Sequence, residues 1–162
     1  MIPIKVFNEQ EKKALIRKLE IQFGIKEINF NVAKIGKERL VLFSGNLSEK
    51  EIENLDRIAR VEVVGVYFAK EQNDELRLSI EGVQLLKEQI TKNIFELDEA
   101  QVREWMLGQD LNIATGKRGF FIMKYKEDFL GTGKASESKI SNFIPKSRRL
   151  RYKENQTEER LF

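Results

Sequence analysis

A run of short apolar segments separated by turn residues occupies the C-terminal part of the chain. Gly119–Tyr125 is rich in aromatic and aliphatic residues, and Phe129–Lys134 and Ile140–Ile144 follow it after polar turns. Short strands at even spacing are typical of a small barrel or a curled sheet. With a further strand-like segment at Leu111–Ala114, this run predicts that the C-terminal half is built mainly of strands.

Helices are predicted where a capping residue precedes an apolar repeat. In three places an N-cap residue is followed three positions later by Glu or Gln, which is the capping-box pattern that begins a helix. The three pairs are Asn8 with Glu11, Ser48 with Glu51, and Asp98 with Gln101. A fourth, shorter helix is predicted over Ile80–Leu86, where Gly82 falls in the first turn and allows close backbone approach.

The N-terminal half combines helices with strands. Strands are predicted at Glu27–Ile35, Arg39–Phe43 and Val61–Ala69, and the polar cluster Glu71–Asp74 then marks a break. The expected fold class is therefore α+β. We expect a mixed α/β domain over residues 1–73, a β-barrel over residues 74–153 and a flexible tail over residues 154–162.

The composition excludes several kinds of chemistry. The chain of 162 residues has no Cys and no His, which removes disulfides, thiolate nucleophiles and imidazole ligands. No Gly-x-Gly-x-x-Gly sequence follows a strand, and Gly131–Lys134 lacks the spacing of a phosphate-binding loop. We therefore expect no cofactor, no metal and no enzymatic activity.

The apolar runs are too short to cross a membrane, and a cytoplasmic protein is expected.

Two further features have competing interpretations. Trp105 lies at helical spacing from Val102, which favours a core position over a base-stacking surface. Glu127 and Asp128 form an acidic pair, but between two strands they more simply make a hairpin turn.

Positive charge is concentrated near the C-terminus. Residues 117–153 contain eleven Lys and Arg against three Asp and Glu, a net charge of +8, whereas the rest of the chain has a net charge of −5. Such an asymmetry indicates a polyanionic partner if the fold gathers these residues on one surface. A solvated basic face without a partner is the alternative. The densest part consists of Lys146, Arg148, Arg149, Arg151 and Lys153.

Several segments of the second half resemble a PUA domain, a small pseudo-barrel found in RNA-modification proteins. Ile80–Leu86 resembles the first helix of that family, Leu107–Leu111 its glycine–aspartate turn, and Phe129–Ala135 its glycine-containing strand. One extra residue, Gln109, separates the glycine from the acid. Together with Asn142–Leu150, the chain resembles small archaeal-type proteins of the Nol/Nop/Fmu ribosome-biogenesis family.

The resemblance implies RNA binding without catalysis by the PUA-like barrel itself. It implies that the first helix and the adjoining strands form the RNA face. The RNA-binding residues predicted from the resemblance and the charge pattern together are Gly82, Gln84, Lys117, Arg118, Lys134, Lys146, Arg148, Arg149 and Arg151.

The sequence thus predicts a non-enzymatic protein that binds structured RNA, either rRNA or tRNA, in ribosome biogenesis or RNA modification. Proteins of those pathways are expected as further partners. The alternative is a protein–protein adaptor in an RNA-processing complex, whose basic rim docks an acidic partner. A third interpretation, an enzyme that uses carboxylates and lysine, lacks a constellation of residues to support it.

Overall fold

The computed structural model describes residues 2–151 and consists of two sheets and four α-helices. The predicted tail, residues 154–162, and Lys153 lie outside the described residues. The predicted α+β class is confirmed. The helices are α1 (Glu9–Phe23), α2 (Glu49–Ala59), α3 (Ile80–Leu86) and α4 (Glu99–Met106), with short 3-10 turns at Lys87–Gln89 and Lys146–Arg148.

The first sheet has five antiparallel strands in the order of the sequence, and the second has four. The first sheet contains β1 (Ile4–Val6), β2 (Asn31–Ile35), β3 (Arg39–Phe43), β4 (Val66–Gln72) and β5 (Glu75–Leu78). The second contains β6 (Ile94–Glu96), β7 (Gly119–Tyr125), β8 (Asp128–Ala135) and β9 (Ile140–Asn142). Strand β6 pairs in parallel with β7, and the other pairs are antiparallel.

All three predicted capping boxes form. Asn8, Ser48 and Asp98 each accept a hydrogen bond from the backbone N–H three residues later, and the Glu or Gln side chain there accepts one in return. Ser79 caps α3 through the backbone N–H of Gly82 at 2.9 Å. These caps fix where the helices begin because they satisfy N–H groups that the first turn leaves without partners.

Two predicted strands differ from the structure in the N-terminal half. Strand β2 begins at Asn31 rather than Glu27, and β4 begins at Val66 rather than Val61. Val63 is 76% exposed, whereas Val64 packs against the small apolar cluster around Val41, so this segment contacts the first sheet without being part of it. Gly65, at φ +65°, lies against the carbonyl group of Leu42, and the left-handed turn there sets the start of β4.

Trp105 is a core residue, as its helical spacing favoured. It is fully buried, and its Nε1 donates to the carbonyl oxygen of Leu130 at 2.8 Å. Gly133 on β8 makes room for the indole, because a Cβ there would lie 2.9 Å from the ring. Gly131, at φ +84°, lies where the β7–β8 register shifts, so both glycines serve strand geometry rather than phosphate binding.

The main hydrophobic core lies between α1, the first sheet, α3 and one side of β7. Phe23, Phe68 and Val83 are fully buried within it, and Ile122 of the second sheet joins them. The predicted boundary after residue 73 falls in the β4–β5 hairpin, where Gln72 pairs with Glu75. The division into domains at this point stays a prediction.

A second core lies on the other side of β7, around Trp105, Phe121 and Met123.

Among residues 2–151, none of the helices has both the length and the apolar character that crossing a bilayer requires.

Candidate functional site

The C-terminal segment, residues 143–151, follows β9 and carries Lys146, Arg148, Arg149 and Arg151. Asn142, the last residue of β9, anchors this segment. Its side-chain amide donates to the carbonyl oxygens of Trp105 at 2.8 Å and Gln109 at 3.1 Å. Its backbone N–H donates to Asp110 at 2.8 Å, and Lys139 Nζ lies 2.9 Å from the same carboxylate. The hydrogen bond from Asn142, followed by the contact with Lys139, lowers the pKa of Asp110. This network holds the start of the segment against α4.

Three of the predicted RNA-binding arginines are engaged within the protein. Arg148 forms an ion pair with Glu81 of α3 at 2.5 Å, and Arg118 pairs with Glu137. Arg149 is half-buried, and its side chain packs against Gly108 while its Nε donates to the carbonyl oxygen of Ile144 at 2.9 Å. The contacts of Arg148 and Arg149 tie the C-terminal segment to α3 and to Gly108 beyond α4. The charges of Arg148 and Arg118 are partly compensated by their carboxylate partners before any RNA binds.

Four predicted cations are exposed and form no ion pair among residues 2–151: Lys117, Lys134, Lys146 and Arg151. Lys134 Nζ lies 5.3 Å from the ring centroid of Phe120, whereas Lys117 Nζ lies 5.7 Å from that of Phe121. Adjacent strand residues point to opposite faces. Lys117 therefore lies on the other side of the second sheet from Lys134, and the predicted residues do not all form one surface.

Gly82 and Gln84 have contacts within the protein. Gly82 is buried, and a Cβ there would collide with the carbonyl oxygen of Phe68 on β4. The exposed Gln84 donates from Nε2 to the carbonyl oxygen of Phe129 at 2.9 Å. A direct RNA contact by either residue stays a prediction, and the burial of Gly82 does not favour one.

A row of side chains that the sequence indicated only in Lys134 joins the two sheets. The guanidinium carbon of Arg77 on β5 lies 4.3 Å from the ring centroid of Phe143, which is 37% exposed. The ring of Phe143 lies 6.2 Å from that of Phe120, at an angle of 59°. Lys134 then lies over Phe120. We call these four residues (Arg77, Phe143, Phe120 and Lys134) the cation–aromatic row.

The cation–aromatic row borders a cleft between the two sheets. The cleft has a volume of about 110 Å³, and its walls include Tyr67, Arg77, Phe143 and Pro145. Arg39 lies 5.9 Å from the ring centroid of Tyr67, so each aromatic wall has an arginine beside it. Lys146 follows Pro145 directly. This arrangement can attract anions and offer flat apolar faces at the same place.

The sequence offered only a partial signal for this site. Arg77 lies between the buried Leu76 and Leu78, an alternation that predicts an outward-facing side chain. Nothing in the sequence pairs Arg77 with Phe143, because the two lie far apart in the chain and meet only through the packing of the two sheets.

A second cavity, of about 230 Å³, lies on the opposite side of β7. Ile94, Ile113, Lys117 and Phe121 are among the residues that line it.

Among the described residues there is no group of three or more carboxylates that would hold a metal ion.

The match to a family model falls on the part of the chain that contains Phe120, Lys134 and Phe143. Residues 92–150 match the family model described as the PUA domain of methyltransferase RsmF. The chain is also 24% identical, over 148 residues, to the ribosomal RNA small subunit methyltransferase F of Aeromonas salmonicida (strain A449). That match covers 89% of this chain and 29% of the relative. The resemblance to PUA-domain proteins is thereby confirmed.

Proposed function

We propose that this chain, which carries a PUA domain of the RsmF type over residues 92–150, binds structured rRNA as a non-catalytic module of an RNA-modification system. The observation that carries the proposal is the cation–aromatic row beside the exposed Lys146. Unpaired cations attract phosphates and release counterions on binding, and arginine and aromatic faces stack on bases.

Ribosomal RNA is the preferred RNA ligand because the relative's name specifies a methyltransferase of small-subunit ribosomal RNA. Transfer RNA, the other structured RNA that the sequence pattern allows, is the alternative ligand. The match covers 29% of the relative, and the matching family model describes its PUA domain. These two matches support our proposal that the chain binds RNA and does not itself carry out methyl transfer.

The proposal is tested by measuring the affinity of the chain for a small-subunit rRNA fragment across a salt series. Replacing Lys134 and Lys146 together by Glu should weaken binding at least tenfold and reduce the slope of log K against log salt by about one per lysine. The matched control replaces the exposed Lys13 and Lys50 by Glu, which changes the net charge equally on α1 and α2.

Equal losses in the two double variants would show that only net charge matters and would reject this surface as the RNA face. Absence of salt-sensitive rRNA binding by the unsubstituted chain would reject the function itself. If tRNA binds and the rRNA fragment does not, the preference for rRNA over tRNA as the ligand is wrong.

An adaptor function is the second candidate, and one observation on α2 favours it. Leu55 and Ile58 lie three residues apart on this helix and are 43% and 85% exposed. An exposed apolar helix face is a common protein-binding surface. If this function holds, Ile58→Asp should abolish co-purification of a stoichiometric protein partner, whereas the Lys134/Lys146 double variant should retain it.

A further inference from the structure

We infer that the cleft between the two sheets binds the base of one unpaired nucleotide, with Phe143 and Arg77 as its stacking surface. This inference rests on the proposed RNA binding and adds two points to it: the first sheet takes part in recognition, and the RNA must offer an unstacked base. Neither Arg77 nor Phe143 belongs to the residues that the charge pattern singled out.

The stacking surface is already assembled within the protein. The guanidinium of Arg77 lies over the ring of Phe143, 4.3 Å from the ring centroid, so the two groups form one stack to which a base can be added. Phe143 is also supported by Phe120 at 6.2 Å. Ordered side chains lose little conformational entropy when a ligand binds, so a surface of this kind favours binding.

A second aromatic side chain, Tyr67, also lines the cleft. Tyr67 belongs to the first sheet and is half-buried against the small apolar cluster around Val41. Arg39 lies over its ring at 5.9 Å. Two aromatic walls, each with an arginine beside it, suit a flat, electron-rich ring that is attached to a phosphate.

The charges around the cleft favour a nucleotide over an apolar peptide. Arg77 forms no ion pair with the carboxylates of residues 2–151, and the same holds for Lys134 and Lys146. Lys134 lies at the far end of the cation–aromatic row, and Lys146 follows the cleft residue Pro145. Phosphates on either side of a stacked base would therefore meet cations.

The hydroxyl groups of the cleft indicate recognition by stacking rather than by base edges. Ser79 Oγ donates to the carbonyl oxygen of Tyr67 at 2.8 Å and accepts from the Gly82 N–H. Thr132 Oγ1 donates to the carbonyl oxygen of Leu78 at 2.9 Å. Because these hydroxyl protons already have partners, we expect little preference among the four bases.

The test compares two hairpin RNAs that differ by one nucleotide, a bulged 2-aminopurine that is present in one and absent from the other. The unsubstituted 162-residue chain should bind the bulged hairpin more tightly and quench its fluorescence on binding. Phe143→Ala should weaken binding to the bulged hairpin by about 5- to 150-fold, the range expected for one base–aromatic stack. Binding to the fully paired hairpin should remain within twofold of the unsubstituted chain.

The controls are matched in residue type and exposure. Phe30 is also 37% exposed but lies just before β2, so Phe30→Ala should leave both affinities unchanged. Phe143→Leu retains an apolar side chain against Phe120 and removes only the aromatic face, so it should lose the preference for the bulge without unfolding the protein. Arg77→Ala should act like Phe143→Ala, and Arg17→Ala on α1 should not.

Three results would overturn the inference. The first is equal affinity of the unsubstituted chain for the two hairpins, and the second is an unchanged preference for the bulge in Phe143→Leu. Both leave salt-sensitive RNA binding, and hence the proposed function, intact. The third, no binding of either hairpin or of the rRNA fragment, would overturn the proposed function as well.

Discussion

Glu71 on β4 joins α1 to the first sheet through two ion pairs. Its carboxylate lies 2.7 Å from Lys18 Nζ on α1 and 2.8 Å from Lys34 Nζ on β2. The carboxylate is only a quarter exposed, and the hydrogen bonds from Lys18 and then Lys34 lower its pKa. A lowered pKa in the folded state means that the ionised form stabilises the fold.

This contribution should disappear in acid. It is fully present above the ordinary value of 4.5 and is lost as the pH falls through the lowered pKa of the folded state. Glu71→Gln should therefore destabilise the protein by about 1 kcal/mol at pH 7, and the difference from the unsubstituted chain should shrink below pH 4.5. Urea unfolding of both proteins at a series of pH values measures this difference in stability.

The exposed Glu53 on α2, which forms no ion pair among residues 2–151, provides the control. Glu53→Gln should change stability by less than about 0.5 kcal/mol. A difference between Glu71→Gln and the unsubstituted chain that stays constant down to pH 3 would contradict the assignment.

Single residues with local requirements were predictable from the sequence. Asn8 and Asp98 cap helices through bonds to residues three positions away, and Gly82 was expected to permit close backbone approach, which it makes to Phe68. The pairing of Arg77 with Phe143 was not predictable because it depends on how two sheets pack. The candidate site was therefore foreseen in its lysines but not in its aromatic residues.

At the scale of elements, α2 differs most from its sequence pattern. Its apolar residues repeat as in a helix with one buried face, yet Ile52 is the only buried residue among its eleven. Leu55 and Ala59 lie on the same apolar side of the helix as Ile52 but are exposed. Periodicity shows that a helix has an apolar face but not how much of that face another element covers.

The helix therefore offers a direct comparison of one substitution at two positions. Ile52→Ala should destabilise the protein by about 2–4 kcal/mol because Ile52 is 2% exposed and its removal leaves a cavity. Ile58→Ala, on a side chain that is 85% exposed, should change stability by less than about 0.5 kcal/mol. Thermal unfolding of both variants measures the difference.

Equal destabilisation by the two substitutions would mean that Ile58 is covered in solution, for example by a second copy of the chain. Melting temperatures measured at several protein concentrations show whether a second copy covers Ile58, because a dimer becomes more stable as its concentration rises.

The strands that the sequence missed are the short ones. Strands β1 and β6 have three residues each, which is too short for an alternating pattern to identify a strand. Strand β6 also pairs with a strand that lies distant in the sequence. The expected strand at Leu111–Ala114 is reduced to a single bridge between Leu111 and Ile140. Strand β7, by contrast, was predicted at its observed bounds because it carries a long apolar run, and β8 was predicted to within one residue at each end because turn residues flank it.

At the scale of the whole molecule, the main core draws on both sides of the predicted boundary at residues 73 and 74. Leu19 and Phe68 come from the first side, and Leu76, Val83 and Ile122 from the second. Gln22 of α1 also exchanges two hydrogen bonds with the backbone of Leu76, at 2.8 and 3.1 Å. Separating the two parts would expose apolar surface on each and leave these polar groups without partners.

We therefore expect the 162-residue chain to unfold in one cooperative transition, with equal calorimetric and van't Hoff enthalpies. A fragment of residues 74–153 should lack a cooperative transition, because β5 loses its partner strand and the apolar side chains of Leu76, Val83 and Ile122 lose α1 and β4. Calorimetry and near-ultraviolet circular dichroism on both proteins measure this. If the fragment melts cooperatively within a few degrees of the full chain, the second part has a sufficient core of its own. The proposed stacking of a base on Arg77 and Phe143 can then be measured on the fragment without the first four strands.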